Sequence, residues 1–305
     1  MNYLFFDIEC CDGRHICSFG YVICDENFRV LKKEDIIMNP EKEFKLGRAG
    51  FDPRIHLAYS ENEFKKQKPF PYFYNKINQI LKASNQIILG HSVLNDIKYL
   101  EIACDRYKLN QIYLSAYDTQ KFYWYLDNKY LSRGQENIVK DLNINISDLH
   151  EHKSCDDAEI SLRYTKEICK KTNCDINQLI NSCQTSLVKY NKETHQRNIY
   201  NKKLNELNNK YSKNTDMLFI CLSDTIKEKS IYGRLKLIEA IYQAGYKFTN
   251  RVSECSIFVY GNSIGKRDTC CDINIKDYNK KIKKISINEL SRLINRNTNK
   301  NGEVI

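Results

Sequence analysis

Short apolar runs alternate with segments of helical periodicity through the first half of the chain, and this alternation limits the fold more than any other feature. Apolar runs predict strands, and apolar residues at helical spacing predict helices. The predicted strands are Tyr3–Ile8, Gly20–Cys24, Phe28–Leu31, Gln86–Leu89 and Ile112–Leu114. The predicted helices are Phe73–Leu81, Asn95–Tyr107 and Asp156–Cys169. Strands that alternate with helices form a sheet covered by helices, because each apolar face must pack against another layer. An α/β fold is therefore predicted.

The first strand carries two acidic residues in an otherwise apolar setting. Asp7 and Glu9 are two positions apart, so a strand directs both side chains to the same face. Two carboxylates on one face repel each other unless a cation lies between them, and Mg²⁺ takes such oxygen ligands. The surrounding apolar residues indicate a buried strand, where unpaired acids are costly. Taken alone, the motif is also typical of an exposed acidic edge.

Two further acidic positions lie where predicted helices begin. One strand ends near Gly90, and Asp96 opens the helix that follows; later, His152 precedes Asp157 by five residues. A histidine on a loop beside a carboxylate suits a general base, because its pKa lies near neutral pH. Taken singly, Asp96 has the ordinary interpretation of an acid that favours a helix N-terminus, Asp156 that of a helix cap, and His152 that of a loop residue.

In this order, the three elements together resemble the DEDDh (DnaQ-like) family of 3′→5′ exonucleases, which includes proofreading subunits of replicative polymerases. The resemblance covers about residues 1–175 and implies an RNase H-like fold, a mixed central sheet flanked by helices. The implied ligands of two divalent ions, Mg²⁺ or Mn²⁺, are Asp7, Glu9, Asp96 and Asp157. His152 would be the general base. Two such ions, about 3.5–4 Å apart, would hold the scissile phosphate while water attacks in line and a nucleoside monophosphate leaves.

The chain departs from the family pattern at three positions near the expected substrate. Cys10 replaces the usual Thr, Ser92 replaces an Asn after the histidine, and Asn95 replaces a Phe before the aspartate. The family subclass with a tyrosine base would need Tyr where this chain has Lys153, so the histidine subclass fits better. The residues expected to contact the substrate are Ile8, Cys10, Tyr59, His91, Leu94 and Asn95.

The composition and the charge change in the second half of the chain. Residues 176–213 are rich in Asn and Lys and are predicted to form a partly helical linker between an exonuclease domain, 1–175, and a second domain, 214–305.

The basic residues are concentrated in the second half of the chain. Residues 1–180 carry 25 Lys/Arg against 26 Asp/Glu, whereas residues 181–305 carry 23 against 12, so the net charge of +10 belongs to the second half. A basic patch can bind nucleic acid; a solvated Lys-rich surface is the alternative.

The second domain resembles a BRCT domain, which is a small α/β domain. The similar features are the strand 218–223, the helix end Ala244-Gly245-Tyr246, the strand 256–261 and the closing segment 285–294. The resemblance implies Ser223 and Lys266 as phosphate contacts, and DNA, a polymerase or a repair protein as the partner. Against it, Asp224 replaces the usual glycine, and the tryptophan common in the last helix is missing.

The location expected from the sequence is the cytoplasm, without a membrane partner. No apolar run approaches the ~18 residues of a membrane span, and the N-terminus lacks the pattern of a signal peptide. The 13 cysteines contain no Cys-x-x-Cys spacing, which argues against a zinc site, and a disulfide framework is not expected in that compartment.

Three functions are compatible with these patterns. The leading hypothesis is an exonuclease that acts on single-stranded 3′ ends of DNA in repair or proofreading. An RNA 3′-trimming enzyme is the nearest alternative, because the same catalytic set serves both substrates. A catalytically silent scaffold that acts through the BRCT-like domain is the alternative of another class. The presence of all five expected catalytic residue types argues against the scaffold.

Overall fold

The computed structural model describes residues 1–45, 56–127, 134–212, 218–226, 231–261 and 263–301. The chain divides into two units, Met1–Lys192 and Glu193–Ile305. Within the described ranges, no helix combines the length and the apolar character needed to cross a bilayer.

The first unit contains six strands and seven α-helices within the described residues. The strands are β1 (Asn2–Cys10), β2 (Ile16–Cys24), β3 (Val30–Ile37), β4 (Gln86–Gly90), β5 (Leu114–Asp118) and β6 (Leu187–Tyr190). The helices are α1 (Glu61–Lys65), α2 (Phe70–Leu81), α3 (Leu94–Arg106), α4 (Thr119–Asp127), α5 (Gln135–Asp141), α6 (Ser154–Thr172) and α7 (Ile176–Ser182).

The six strands form one mixed sheet in the order β3-β2-β1-β4-β5-β6. Strands β1, β2 and β3 are antiparallel neighbours, β4 and β5 run parallel to β1, and β6 is antiparallel to β5. Helices α2 and α3 pack in the core on one face, and α4 to α7 pack in the core on the other. The predicted α/β fold with a mixed sheet is confirmed.

Alternation along β1 decides which face receives the acidic residues. Leu4 and Phe6 enter the core that contains α2 and α3, whereas Phe5 enters the core that contains α6. Asp7 and Glu9 are odd-numbered like Phe5, so their side chains lie on the α6 side of the sheet.

The close approach of β2 to α6 requires a glycine. Gly20 pairs with Asp7 across the β1–β2 ladder. A Cβ atom at Gly20 would lie 1.9 Å from the backbone nitrogen of Cys155 and 2.1 Å from the carbonyl carbon of Ser154. No other residue has room there, and the first turn of α6 therefore lies beside the strand that carries Asp7.

Residues 176–192, which the sequence analysis assigned to a linker, lie in the first unit. Helix α7 starts with a capping box between Asp175 and Gln178 and buries Leu179 completely. Strand β6 pairs with β5. Strand β5 begins and ends later than the predicted strand Ile112–Leu114. The sequence analysis did not predict α7 and β6, because their composition is rich in Asn and Lys and only a few apolar residues in each contact the core.

The second unit is a parallel sheet with helices on both faces. Its strands are β7 (Phe219–Leu222), β8 (Lys247–Phe248), β9 (Ile257–Tyr260) and β10 (Lys283–Ser286), in the order β10-β9-β7-β8. Its helices are α8 (Lys192–Lys210), α9 (Ile231–Gln243), α10 (Lys266–Lys276) and α11 (Ile287–Asn301). Helices α8, α9 and α11 contribute to one core, and Cys271 of α10 to the other. The sequence analysis did not predict α10, because Cys271 and Asn274 among its buried positions give no apolar periodicity.

We predict that Gly20→Ala lowers the free energy of unfolding by about 1–3 kcal/mol, because the new methyl group overlaps the α6 backbone. Chemical denaturation of both proteins measures the difference. Gly134→Ala is the matched control, since a Cβ atom at Gly134 would have its nearest heavy atom 4.0 Å away. Equal losses in the two variants would contradict the close packing at Gly20.

Candidate active site

One cavity of about 420 Å³ collects the five catalytic candidates. It lies where the end of β1, the first turn of α3 and the first turn of α6 meet. The five candidates that line it are Asp7, Glu9, Asp96, His152 and Asp157. Residues far apart in the sequence are thus brought together by three elements of the first unit.

Asp7 and Asp96 both line this cavity, and the charge of Asp7 acts on Asp96. Burial, together with the nearby carboxylates of Glu9 and Asp35, raises the pKa of Asp7 well above its ordinary value. Asp96 is only 3% exposed, and burial and the charge of Asp7 likewise raise its pKa. The Ile8 amide donates to Asp96 Oδ1 at 3.1 Å, which ties α3 to β1 and opposes that rise.

Asp157 and His152 complete the cavity from the α6 side. Burial, then the charges of Asp7 and Glu9, raise the pKa of Asp157. His152 Nδ1 lies 3.4 Å from Glu9 Oε1, and the ligand atoms of Glu9, His152 and Asp157 lie within 4.8 Å of one another. His152 has a φ of 60°, a left-handed conformation that is uncommon for residues other than glycine and is held by its surroundings.

A partly buried ion pair anchors the loop that carries His152. Lys33 Nζ on β3 lies 2.5 Å from Asp156 Oδ1 and 2.6 Å from Glu159 Oε2. The second oxygen of Asp156 accepts from the backbone amide of His150 at 3.1 Å. Burial opposes ionisation of Asp156, but the Lys33 ammonium and the His150 amide outweigh it and lower its pKa. The sequence analysis saw only a helix cap at Asp156.

The turn after β4 is held by buried polar contacts. His91 Nδ1 lies 3.0 Å from the hydroxyl oxygen of Tyr164, and His91 Nε2 lies 3.4 Å from Nε2 of Gln120. The Ser92 amide donates to Asp118 Oδ1 at 3.0 Å. Both ring nitrogens of His91 therefore face protein groups, whereas His152 lies next to the carboxylates.

The structure separates the expected substrate contacts into two groups. Ile8, His91 and Asn95 line the cavity. Cys10 does not, because alternation along β1 turns it into the core with Leu4 and Phe6.

Two other expected contacts also lie elsewhere. Leu94 is 62% exposed on the outer side of α3 and does not line the cavity. Tyr59 packs edge-on against Phe64 and lines a different cavity, beside His150.

Several polar residues line the cavity without having been predicted. They are Ser92, Tyr99, Gln135, Glu136, Asn137 and Glu151. Gln135 Nε2 donates to the carbonyl oxygen of Asp157 at 3.1 Å and to Ser161 Oγ at 2.8 Å, which fixes α5 against α6. Gln135, Glu136 and Asn137 reach the site only because α5 packs on α6, which no local sequence pattern predicts. The other three are close in the sequence to His91, Asp96 and His152, and that proximity was the available signal.

The two expected phosphate contacts of the second unit have different environments. Ser223 is fully buried, and its hydroxyl donates to Asp268 Oδ2 at 2.5 Å. Lys266 is exposed in the first turn of α10. The Ser223 hydroxyl is thus already hydrogen-bonded within the protein, and the Asp268 carboxylate would repel a phosphate placed there.

The family comparison identifies one match. Residues 20–168 match the family model DEDDh_C, described as "DNA polymerase III subunit epsilon-like, C-terminal domain". The matched range contains Asp96, His152 and Asp157 and begins after Asp7 and Glu9. No curated protein matches the chain in sequence.

Solved structures give distant likenesses. A 3′-exonuclease in the structure "3'-end specific recognition of histone mRNA stem-loop by 3'-exonuclease" is 15% identical, with a TM-score of 0.48, over 57% of this chain and 83% of that one. The nuclease domain of 3'hExo bound to rAMP, described as a DEDDh family member, is 16% identical, with a TM-score of 0.46, over 57% and 92%. A zinc-bound complex of E. coli ExoI with ssDNA is 16% identical, with a TM-score of 0.45, over 59% and 42%.

We predict that the crowded carboxylates destabilise the protein in EDTA. A carboxyl whose folded-state pKa is raised carries a penalty above that pKa, and the penalty disappears as pH falls through it. Asp7→Asn should therefore raise the free energy of unfolding at pH 8, because it removes the buried charge that burial and the neighbouring carboxylates disfavour. The gain should shrink at pH 5. Urea unfolding at both pH values tests this; a less stable variant at pH 8 would contradict it.

We also predict that Lys33→Met loosens the His152 loop. Loss of a cation that bonds two carboxylates should cost about 1–3 kcal/mol and speed amide exchange at 150–152. Hydrogen exchange and chemical denaturation measure the two effects. Lys65→Met is the matched control, because Lys65 pairs with Glu61 at 3.0 Å on the exposed face of α1 and such pairs contribute little. Unchanged exchange at the loop would refute the anchoring role.

Proposed function

Because its first unit belongs to the DEDDh exonuclease family, we propose that this chain is a metal-dependent 3′→5′ exonuclease that releases nucleoside monophosphates from single-stranded DNA ends. The observation that carries the proposal is that the four predicted carboxylate ligands and the predicted base, His152, all line a single cavity. Favourable charge at a helix N-terminus, or packing in the core, could explain one such residue. Neither explains why all five meet, because they come from three separate elements.

The donor set fits divalent cations. Asp7, Glu9, Asp96 and Asp157 offer hard carboxylate oxygens, the ligands that Mg²⁺ and Mn²⁺ prefer. Their mutual repulsion, seen in the raised pKa of three of them, is the kind that a bound cation relieves. When bound, two such ions would neutralise charge on the scissile phosphate and make water more acidic.

His152 is proposed as the general base. Its side chain is 37% exposed, so water in the cavity can reach it. Glu9 lies beside Nδ1 and would stabilise the imidazolium that forms when the ring accepts a proton from the attacking water. His91 is a poorer candidate for this role, because Tyr164 and Gln120 face its two ring nitrogens.

The second unit is proposed to be BRCT-like. Support comes from its four parallel strands with helices on both faces, a small α/β arrangement of the kind that the resemblance implies. The partners proposed for it are DNA, a polymerase or a repair protein. This unit favours DNA over RNA as the substrate by analogy alone.

We expect metal-dependent release of mononucleotides from single-stranded DNA. The test compares 3′-labelled DNA and RNA of equal sequence, with Mn²⁺, Mg²⁺ or EDTA, beside Asp7→Ala. Release that requires metal and vanishes in the variant would establish the exonuclease, and the faster polymer would be the preferred substrate. No release from either polymer, with binding retained by the full chain, would leave a catalytically silent scaffold instead.

We expect His152→Ala to lower kcat by about 10²–10⁴-fold, the usual contribution of a positioned general base. His150→Ala is the matched control, because His150 is a neighbour in the same loop but does not line the cavity. Single-turnover measurements of mononucleotide release compare the two variants. Equal losses would show that the loop matters only for structure.

A further inference from the structure

A groove on the second unit lies where the edge strand β10 meets α11. Its volume is about 260 Å³. The residues that line it are Ile257, Lys283, Ile285, Glu289, Arg292, Leu293 and Arg296. β10 ends its sheet, so one side of the groove is an edge. The lining combines an apolar floor with three cationic side chains.

The one acidic residue of this lining already has partners. Glu289 Oε2 accepts from the Ser286 amide at 2.7 Å and from the Ser286 hydroxyl at 2.8 Å. These bonds cap α11, and the Ser286 amide, more than the nearby Lys283 and Arg292, lowers the pKa of Glu289. Glu289 therefore stays ionised, and the three cations of the lining exceed this one carboxylate by two charges.

The cations of the groove are directed to solvent. Lys283, Arg292 and Arg296 are exposed. The neighbouring Lys284 differs, because alternation along β10 directs it to Asp272 of α10, where the two side chains pair at 2.7 Å. Lys284 thus links β10 to α10, whereas Lys283 lines the groove.

The spacing of the two arginines suits a phosphate chain. Four residues along an α-helix correspond to a rise of about 6 Å, so Arg292 and Arg296 present guanidinium groups one turn apart. Guanidinium groups bind phosphate oxygens through paired hydrogen bonds. The partly exposed Leu293 beside them offers an apolar contact for the sugars or bases of the same strand.

We propose that this groove binds the sugar-phosphate backbone of a single-stranded nucleic acid. The proposal deepens the proposed function, because the bound strand would be the substrate of the first unit. The charge of the second unit agrees with it: residues 193–305 carry 21 Lys/Arg against 12 Asp/Glu, a net of +9. The groove lies on α11 and β10, and it includes neither Ser223 nor Lys266.

The test measures binding of the full chain to a fluorescent oligothymidylate in EDTA, over a series of salt concentrations. The Asp7→Ala background removes cleavage, so absence of nuclease activity would not alter the result. The groove variant combines Lys283→Gln, Arg292→Gln and Arg296→Gln. Three exposed lysines of the same unit that do not line the groove, changed as Lys202→Gln, Lys236→Gln and Lys276→Gln, remove the same charge.

We expect the groove variant to bind at least tenfold more weakly than the control triple at about 0.1 M salt. Its slope of log affinity against log salt should fall by about 2, since each phosphate contact on a single strand contributes about 0.7. If the groove variant binds as well as the control triple, the proposal is overturned. If poly-glutamate binding depends on the groove while oligothymidylate binding does not, the occupant is an acidic peptide instead.

Correct folding of the variants is checked by circular dichroism and thermal unfolding. A second variant keeps the charge but replaces both arginines, as Arg292→Lys and Arg296→Lys. It should recover most of the salt slope, because lysine retains the charge of each phosphate contact. Failure to recover any of it in a folded protein would also count against a phosphate site.

Discussion

The first turn of α6 packs directly on β2 at Gly20, and the geometry of the cavity depends on this contact. Gly20 pairs with Asp7, so the contact brings the start of α6 beside the strand that carries two of the carboxylates. Polar bonds reinforce it: the hydroxyls of Ser18 and Ser154 both donate to Asp35 Oδ1, at 2.6 and 2.7 Å. A bulkier residue at position 20 would displace α6 and carry Asp157 away from β1.

Two adjacent aspartates on α6 have pKa values that are shifted in opposite directions. Asp156 has the Lys33 ammonium beside it, and its pKa is lowered although burial opposes this. For Asp157, burial and the charges of Asp7 and Glu9 raise the pKa. The first carboxylate thus holds the His152 loop, and the second carries an electrostatic cost that a bound cation would relieve. Such a cost is typical of functional sites, where stability is exchanged for activity.

The sequence predicted much of the first unit because its signals are local. Residue alternation placed Asp7 and Glu9 on one face, and helix starts placed Asp96 and Asp157 where two elements begin. Three features depended on packing instead. Gln135 reaches the site only because α5 packs on α6, Lys33 only because β3 lies near α6, and β6 was hidden in Asn/Lys-rich sequence. Tyr59 does not line the cavity because it packs on Phe64, and Leu94 does not because its position around α3 exposes it to solvent.

The distribution of charge between the units has a physical consequence for a polyanionic substrate. Residues 1–192 carry 27 Lys/Arg against 26 Asp/Glu, and their cavity is acidic, so this unit offers little long-range attraction to a strand. The remaining residues carry the excess of +9. Electrostatic attraction acts over about 10 Å at moderate salt, and a covalent connection raises the local concentration of whatever the basic unit holds. In the proposed exonuclease, separating attraction from chemistry in this way would let the cavity remain acidic, as bound cations require, without excluding the substrate.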